Sequence, residues 1–481
     1  MFDSKSWGWV CVVALVVACA GPSALAQEQS PRAVTLPEAR SYARAHQPSV
    51  RAALARIAAA EAQAAVPRAQ WLPQLGATAQ IFVASENNTT ASYLTTNVVD
   101  LPRIGGTTVV DAGHASMQPF GSTLAAIGIS QEVFDFGRIA AQSAAADALA
   151  VAARHASDAT TLDVDYDVEE AFYAVLAAKG VLKASEEAYD RTRTHRDYAK
   201  AGVTSGLLQP IELTRAEADL ARFDIGRIRA RGGVRAAQAV LAAAVGAPDL
   251  TLDASGEMPT TLIVPTLSQA LDDAASRDPR VAEAVAKVRA QEAQSRAIYA
   301  EMRPDVAATA TFSGRAGGAP PSGGGISADY DGWLPSVPNW HVGLVLSWPI
   351  YDGTVVARGR ASDAQAAALR EDVAALKQVL AENVQRAYIN VEIARDALPG
   401  LERAVTAALA NYAQADARFR AGVGTSVELA DAEALRTDAE INLAIGKFDL
   451  AKARAALGRA ISEGLVGGSA AGGAPRMENV K

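Results

Sequence analysis

Apolar residues recur at Leu369, Val373, Leu376, Leu380, Val384, Ala387, Val391, Ala394 and Leu398. Steps of three and four are helical spacing and exclude a strand. The 29 residues from first to last take eight steps, about 3.6 per step, the period of a nearly straight helix. The pattern predicts a long helical hairpin over 353–457 that folds back at Gly422. An arm of about 65 residues forms a rod on the order of 100 Å long. Such a rod cannot enclose a core of its own and needs neighbours.

The chain supplies neighbours by repeating itself. Leu36, Ala39, Ala43 and Pro48 recur 231 residues later as Leu267, Ala270, Ala274 and Pro279, and Pro73–Ala79 falls on Pro304–Ala310 at the same offset. Val133-Phe134-Asp135 matches Ile350-Tyr351-Asp352 at 217, and Val168, Ala171, Phe172 and Val175 match Val384, Ala387, Tyr388 and Val391 at 216. Ala201-Gly202-Val203 matches Ala421-Gly422-Val423 at 220, and Glu212-Leu213 matches Glu428-Leu429 at 216. The drift predicts small insertions, including one of four residues near Leu207–Pro210 in the first turn.

Each unit reads as an opening helix, two strands and a long helical hairpin. The opening helices are expected over Leu36–Ala69 and Leu267–Ala300. Alternation of apolar with polar or small residues predicts strands at about 73–84, 122–134, 304–313 and 340–351. The first hairpin is expected over 137–246. The repeats are thus 27–250 and 267–461, with a linker at 251–266 and a tail at 462–481. Loops fill Ser85–Pro119 and Gly314–Trp340.

Strands of about ten residues have the length to cross a membrane when tilted. Trp71, Phe82, Phe120, Phe134, Trp340, Trp348 and Tyr351 lie near their ends, where an interfacial girdle would sit. The plain alternative is a soluble four-stranded sheet packed on helices. In lipid, however, the two open edges of such a sheet are not tolerated. Several copies would have to share one barrel: two copies give eight strands, and three give twelve with room for a pore.

Composition adds compartment and excludes some partners. Apolar residues are 50% of the chain and aromatics 6%, and the formal charge of −8 gives no electrostatic reason to expect nucleic acid. Residues 1–26 read as a secretion signal, with Lys5, the apolar run Trp7–Ala20 and a cleavage site at Ala24-Leu25-Ala26. Val16-Val17-Ala18-Cys19 is the weaker reading, a lipoprotein box with Cys19 as the lipidated residue. Both cysteines, Cys11 and Cys19, lie in this segment, so the mature chain is expected to be free of disulfides.

In this order and at these offsets, the repeat, the Pro-started strands, the Phe134-Asp135 and Tyr351-Asp352 endings before Gly137 and Gly353, the Val168…Phe172 and Val384…Tyr388 helix patterns and the two Gly turns resemble the TolC family of outer-membrane efflux channels. The likeness covers about Leu36–Ile461. It implies a mainly α chain with membrane β: a homotrimer whose twelve strands form one barrel in outer-membrane lipid, continued by a helical tunnel across the periplasm. It also implies docking to a periplasmic adaptor and an inner-membrane pump, proton-driven or ATP-driven. The bottom-up rival is a structural or adhesive periplasmic coiled-coil protein without channel activity.

Candidate residues follow from both readings. Gly202 with Val203, and Gly422 with Val423, mark the fold-backs; they are helix ends on their own and adaptor-docking tips by resemblance. Glu428 and Asp431, three apart, share one helix face. By resemblance they line a pore constriction as carboxylate rings, with Arg418 and Arg420 as salt-bridge partners and Glu212 as the first-repeat counterpart of Glu428. The plain alternative is a solvated helix end complementing its dipole. Gly180, and Pro399 with Gly400, suggest interruptions of the long helices. Asp163, Asp165 and Asp167 mimic a calcium loop, but Val168 and Ala174 stand where Gly and Glu are required, so they are expected to be exposed helix positions. The five histidines show no metal-binding spacing, and no phosphate-loop, nucleophile-elbow or dinucleotide fingerprint occurs. Neither a cofactor nor catalysis is expected.

Overall fold

A computed structural model describes residues 32–85, 119–259, 264–317 and 337–463. The expected leader with Cys19, most of both strand-joining loops and residues 464–481 lie outside these. The first repeat comprises β1 (Arg32–Val34), α1 (Leu36–His46), α2 (Pro48–Ala69), β2 (Gln74–Ser85), β3 (Pro119–Phe134), α3 (Arg138–Thr204) and α4 (Pro210–Ala244). The second comprises β4 (Leu252–Ala254), α5 (Leu267–Arg277), α6 (Pro279–Ala300), β5 (Asp305–Gly317), β6 (Val337–Ser347), α7 (Gly353–Arg420) and α8 (Ser426–Ala460). β6 stops short of the expected 351, just before the Trp348-Pro349 step.

Element ends refine the repeat. α1, α2 and β2 match α5, α6 and β5 at 231, whereas Thr204 and Arg420, Pro210 and Ser426, and Ala244 and Ala460 all match at 216. The two hairpins are therefore equal in length at the turn. The expected four-residue insertion near Leu207–Pro210 is not there, and the Ala-Gly-Val match at 220 is a chance likeness of composition. The change of offset is taken up between β2 and α3.

Proline decides two further differences. Each opening helix is two helices, because Pro48 and Pro279 force the preceding Gln47 (φ −63°, ψ 124°) and Asp278 (φ −65°, ψ 120°) out of helical geometry. Asp278 then caps α6, accepting from the Arg280 N–H at 2.8 Å. By contrast α3 runs unbroken through Gly180, and α7 through Pro399 and Gly400. The expected helix breaks are absent; one lost hydrogen bond is absorbed within 68 residues of helix packed along its length. Gly180 instead permits close packing: a Cβ there would stand 3.1 Å from Ala444 Cβ of α8.

The sheet is antiparallel with the order β2-β3-β5-β6. Each strand is continued by one helix, and these helices keep the order: α2 packs on α3, α3 on α6, and α6 on α7. Arg154 pairs with Glu61 (2.6 Å) across α3 and α2, and Arg370 with Glu292 (2.7 Å) across α7 and α6. Farther from the sheet, α4 takes the place of α2, and α8 that of α6. Gln47 Nε2 donates to the Ala244 carbonyl (3.1 Å) where α4 meets α2, and Arg459 faces Asp278 (3.9 Å) where α8 meets α6. One chain is thus a wall four helices wide.

The core lies at these junctions, midway along the wall. Val168, Phe172 and Val175 of α3 are buried against Leu241, Val245 and Leu252, and Val384, Ala387 and Val391 of α7 against Leu457 and Ile461. The apolar stripe that predicted α7 is therefore its packed face. β1 and β4 pair in parallel here, a small sheet without a counterpart in the sequence reading of the linker. Asp165, expected to be exposed, is buried, because Arg44 of α1 reaches it with Nε at 3.0 Å and a second guanidinium nitrogen. Burying a lone carboxylate is costly; pairing makes it tolerable.

Register gives the four-stranded sheet two different faces. Leu75, Ile129, Ala310 and Val342 lie in one row across the strands, and Ala77, Ile127, Phe312 and Trp340 in the next. The other face carries Gln74, Thr78, Ser130, Thr309, Thr311 and His341. The apolar face is exposed on the single chain, at Leu75, Ile129, Trp340, Val342 and Leu344 among others. This is the apolar-out, polar-in alternation of a membrane barrel wall, and among the described residues the edges β2 and β6 are unpaired. Among the described residues no helix is long and apolar enough to cross a membrane.

Replacing the fully buried Leu457 by Ala should destabilise the junction by about 2–5 kcal/mol, read as a lowered unfolding midpoint. An unchanged midpoint would show that the junction is not the core.

Candidate functional site at the hairpin tips

The 67 residues of α3 and 68 of α7 carry the two turns on the order of 100 Å from the sheet. There the chain reverses in about five residues. Gly422 takes φ +74°, and the Val423 and Gly424 N–H groups donate to the Arg418 carbonyl, both at 3.0 Å. In the first repeat the left-handed residue is Gly206 (φ +75°), not Gly202. Gly202 lies inside α3, where a Cβ would collide with Leu208 Cδ1 at 2.5 Å. Pro210 and Thr425 open the returning helices, and Thr425 Oγ1 accepts the Glu428 N–H at 3.2 Å.

Both tips end in exposed apolar side chains. Leu207 is 82% exposed and Val423 70%, and in the first turn of each returning helix Ile211 and Val427 are exposed too. These four occupy equivalent places in the two repeats. The sequence reading named Val423 but missed Leu207, Ile211 and Val427. The signal lay in the 216 offset, which aligns Leu207 with Val423 and Ile211 with Val427.

The charged candidates separate into distinct groups. Arg418 Nε lies 3.8 Å from Glu428 Oε2, with both side chains about half exposed. Arg420 pairs instead with Asp416 on its own helix, at 3.0 Å. Asp431 is exposed with no ion-pair partner among the described residues. Glu212 holds Arg215 at 3.2 Å, while its Oε2 is buried without a hydrogen bond. Glu428 and Asp431 therefore stand together on the open side of α8, with one weak link back to Arg418.

A buried charge cluster two to three turns above the tip was not anticipated. Arg191 of α3 grips Glu433 of α8 bidentately, Nε to both carboxylate oxygens at 3.0 Å and Nη2 to Oε1 at 2.8 Å. Thr437 Oγ1 donates to Glu433 Oε1 at 3.2 Å, and Arg436 pairs with Glu440 at 2.9 Å. The Tyr412 ring of α7 lies beneath both guanidinium groups, at 5.9 and 5.1 Å. Burial, then Glu433 and Asp416, push the Tyr412 phenol up. The signal in the sequence was a carboxylate four residues after Leu429 on the packed stripe of α8. Next to this cluster the four helices enclose a cavity of about 300 Å³, lined by His195, Tyr198, Phe223 and Phe419 among others.

The sequence pattern of the outer membrane efflux proteins matches residues 39–247 and 270–463. No curated protein matches by sequence. Among solved structures the fold is similar to the outer-membrane channel OprN, at 21% identity and TM-score 0.68, over 89% of this chain and 90% of that one. It is similar to the outer membrane protein VceC of Vibrio cholerae, at 18% identity and TM-score 0.67, over 89% and 95%. It is also similar to the open state of the MtrE outer membrane channel of Neisseria gonorrhoeae, at 20% identity and TM-score 0.66, over 89% of each chain.

Removing Arg191 strands the buried Glu433 carboxylate, whereas Arg191 without Glu433 keeps Glu187 (3.5 Å) and Glu440 (3.8 Å). Arg191→Met alone should cost about 3–5 kcal/mol, Glu433→Leu less, and the double replacement should recover most of the larger loss. Calorimetry in detergent checks this; a double variant as damaged as the sum of the singles contradicts it.

Proposed function

The chain belongs to the outer membrane efflux protein family, and from that premise we propose that three copies close edge to edge into a conduit that carries cargo passively, driven by partner proteins. The protein is an outer-membrane efflux channel with a periplasmic tunnel, not an enzyme. The single observation that carries the finer reading is the agreement of strand order and helix order. A chain four strands wide is also four helices wide, and both of its edges are bare. β6 and α7 form one edge; β2, α2 and α4 form the other.

The edges are complementary in character and height. Ile393 of α7 is 63% exposed and Val240 of α4 58%. Arg231 of α4 pairs with Glu186 of α3 at 3.0 Å, and counting nine residues along each antiparallel helix sets Val240 level with Ala177. The 216 offset sets Ala177 level with Ile393. A threefold axis keeps neighbours at equal height, so Val240 of one copy meets Ile393 of the next. Three such seams give twelve strands, enough for a pore, with the polar face of the sheet inward.

At the far end, threefold symmetry turns Glu428 and Asp431 into carboxylate rings that attract cations. The Arg418–Glu428 contact then belongs to a narrowed state of the tip. The repeated apolar pairs Leu207 with Ile211 and Val423 with Val427 give a periplasmic adaptor six equivalent places around the rim. An inner-membrane pump supplies the energy.

Purified protein in planar bilayers should conduct, run as three chains in mild detergent, and prefer cations. Replacing Glu428 and Asp431 together by Ala should weaken that preference. A monomer without conductance overturns the conduit; unchanged ion selectivity in the double variant overturns only the carboxylate rings.

A further inference from the structure

His195 lies where all four tip helices converge, and no part of the conduit reading uses it. It projects from α3 into the 300 Å³ cavity, with its ring centroid 4.8 Å from that of Phe419 of α7. Its Nε2 is buried and makes no hydrogen bond. A neutral imidazole can leave one nitrogen unpaired at modest cost, but an imidazolium with a buried, unpaired N–H cannot.

The charged groups around it come from every helix. Glu212 and Asp219 face it from α4, and Asp416, already paired with Arg420, from α7. Glu433 of α8 lines the same cavity but is held by Arg191 of α3. Burial pushes the imidazole below its ordinary value, and the three nearer carboxylates only partly offset this.

We propose that His195 is an acid-sensitive latch between the two hairpins: neutral, it permits the α3–α4 hairpin to pack on α7–α8 at the tip, and protonated, it loosens that contact. The sign follows from linkage. A group whose packed-state value lies below its free value binds protons more weakly when packed. The packed arrangement is therefore fully favoured above the ordinary histidine range, and loses ground as pH falls through that range. Each unit of difference between the packed and free values is a factor of about ten in the packed-to-loosened ratio. The loosened tip hydrates the imidazolium through the cavity and frees the α7–α8 hairpin to move against α3. Because the latch rests on packing within one chain, it stands whether or not the copies form a conduit.

The test is amide hydrogen exchange of the full-length protein in detergent at pH 7.5 and 5.5, corrected for the pH dependence of the chemical exchange rate. Protection over residues 190–204 and 412–420 should drop several-fold on acidification. His195→Gln should hold its protection at both pH values, and so should His195→Phe, which fills the place with an apolar ring. His155→Gln, changing a partly exposed histidine on the same helix, should respond like the parent. Unchanged protection in the parent, or the same drop in both His195 variants, overturns the latch.

Discussion

A backbone hydrogen-bonding edge cannot be left open in lipid, and that constraint organises the molecule. The sheet has four strands, an apolar outer face and two unpaired edges. Water could satisfy those edges, but the hydrocarbon that the apolar face requires could not. The only resolution within one kind of chain is closure with further copies. Because each strand passes directly into a helix, the width of the sheet fixes the width of the helical wall, and the same closure joins the helices.

The same geometry explains why the two repeats are not energetically alike. α8 lies inside the wall, against both α3 and α7, whereas α4 stands at an edge and packs mainly on α3. Glu433 on α8 is consequently buried and clamped by Arg191, while its repeat counterpart Glu217 on α4 is exposed. Ile225, Ile228 and Val240 leave an apolar line on α4, as Ile389 and Ile393 do on α7. α8, inside the wall, is tied to α3 by the Arg191–Glu433 pair, and α4 and α7 each leave an apolar face for a neighbour. His195 sits between the two hairpins, at the place where relative motion would first be felt.

Much of this was legible in the sequence because it depends on period. The stripe from Leu369 to Leu398 is the packed face of α7, and alternation around Leu75 and Val342 marks the outer face of the sheet. What was misread turns on single residues whose role is set by context. Gly202 looks like a turn glycine but makes room for Leu208, while Gly206 carries the left-handed turn. Pro399 looks like a break, yet a long helix packed along one side on α6 and α8 absorbs it; Pro48 and Pro279, at the ends of short helices, do break the chain. Asp165 and Glu433 look like solvated charges, and only partners 121 and 242 residues away show that they are buried pairs.

Closure through the bare edges is most directly tested by a disulfide across the seam. With Val240→Cys and Ile393→Cys in one chain, and Cys11 and Cys19 replaced by Ser, oxidation in the membrane should yield a ladder ending at three linked chains, reversed by reductant. Each single-cysteine chain should give no ladder. Failure of the double variant to link beyond one chain, with both thiols shown to be reactive, would contradict the edge-to-edge ring.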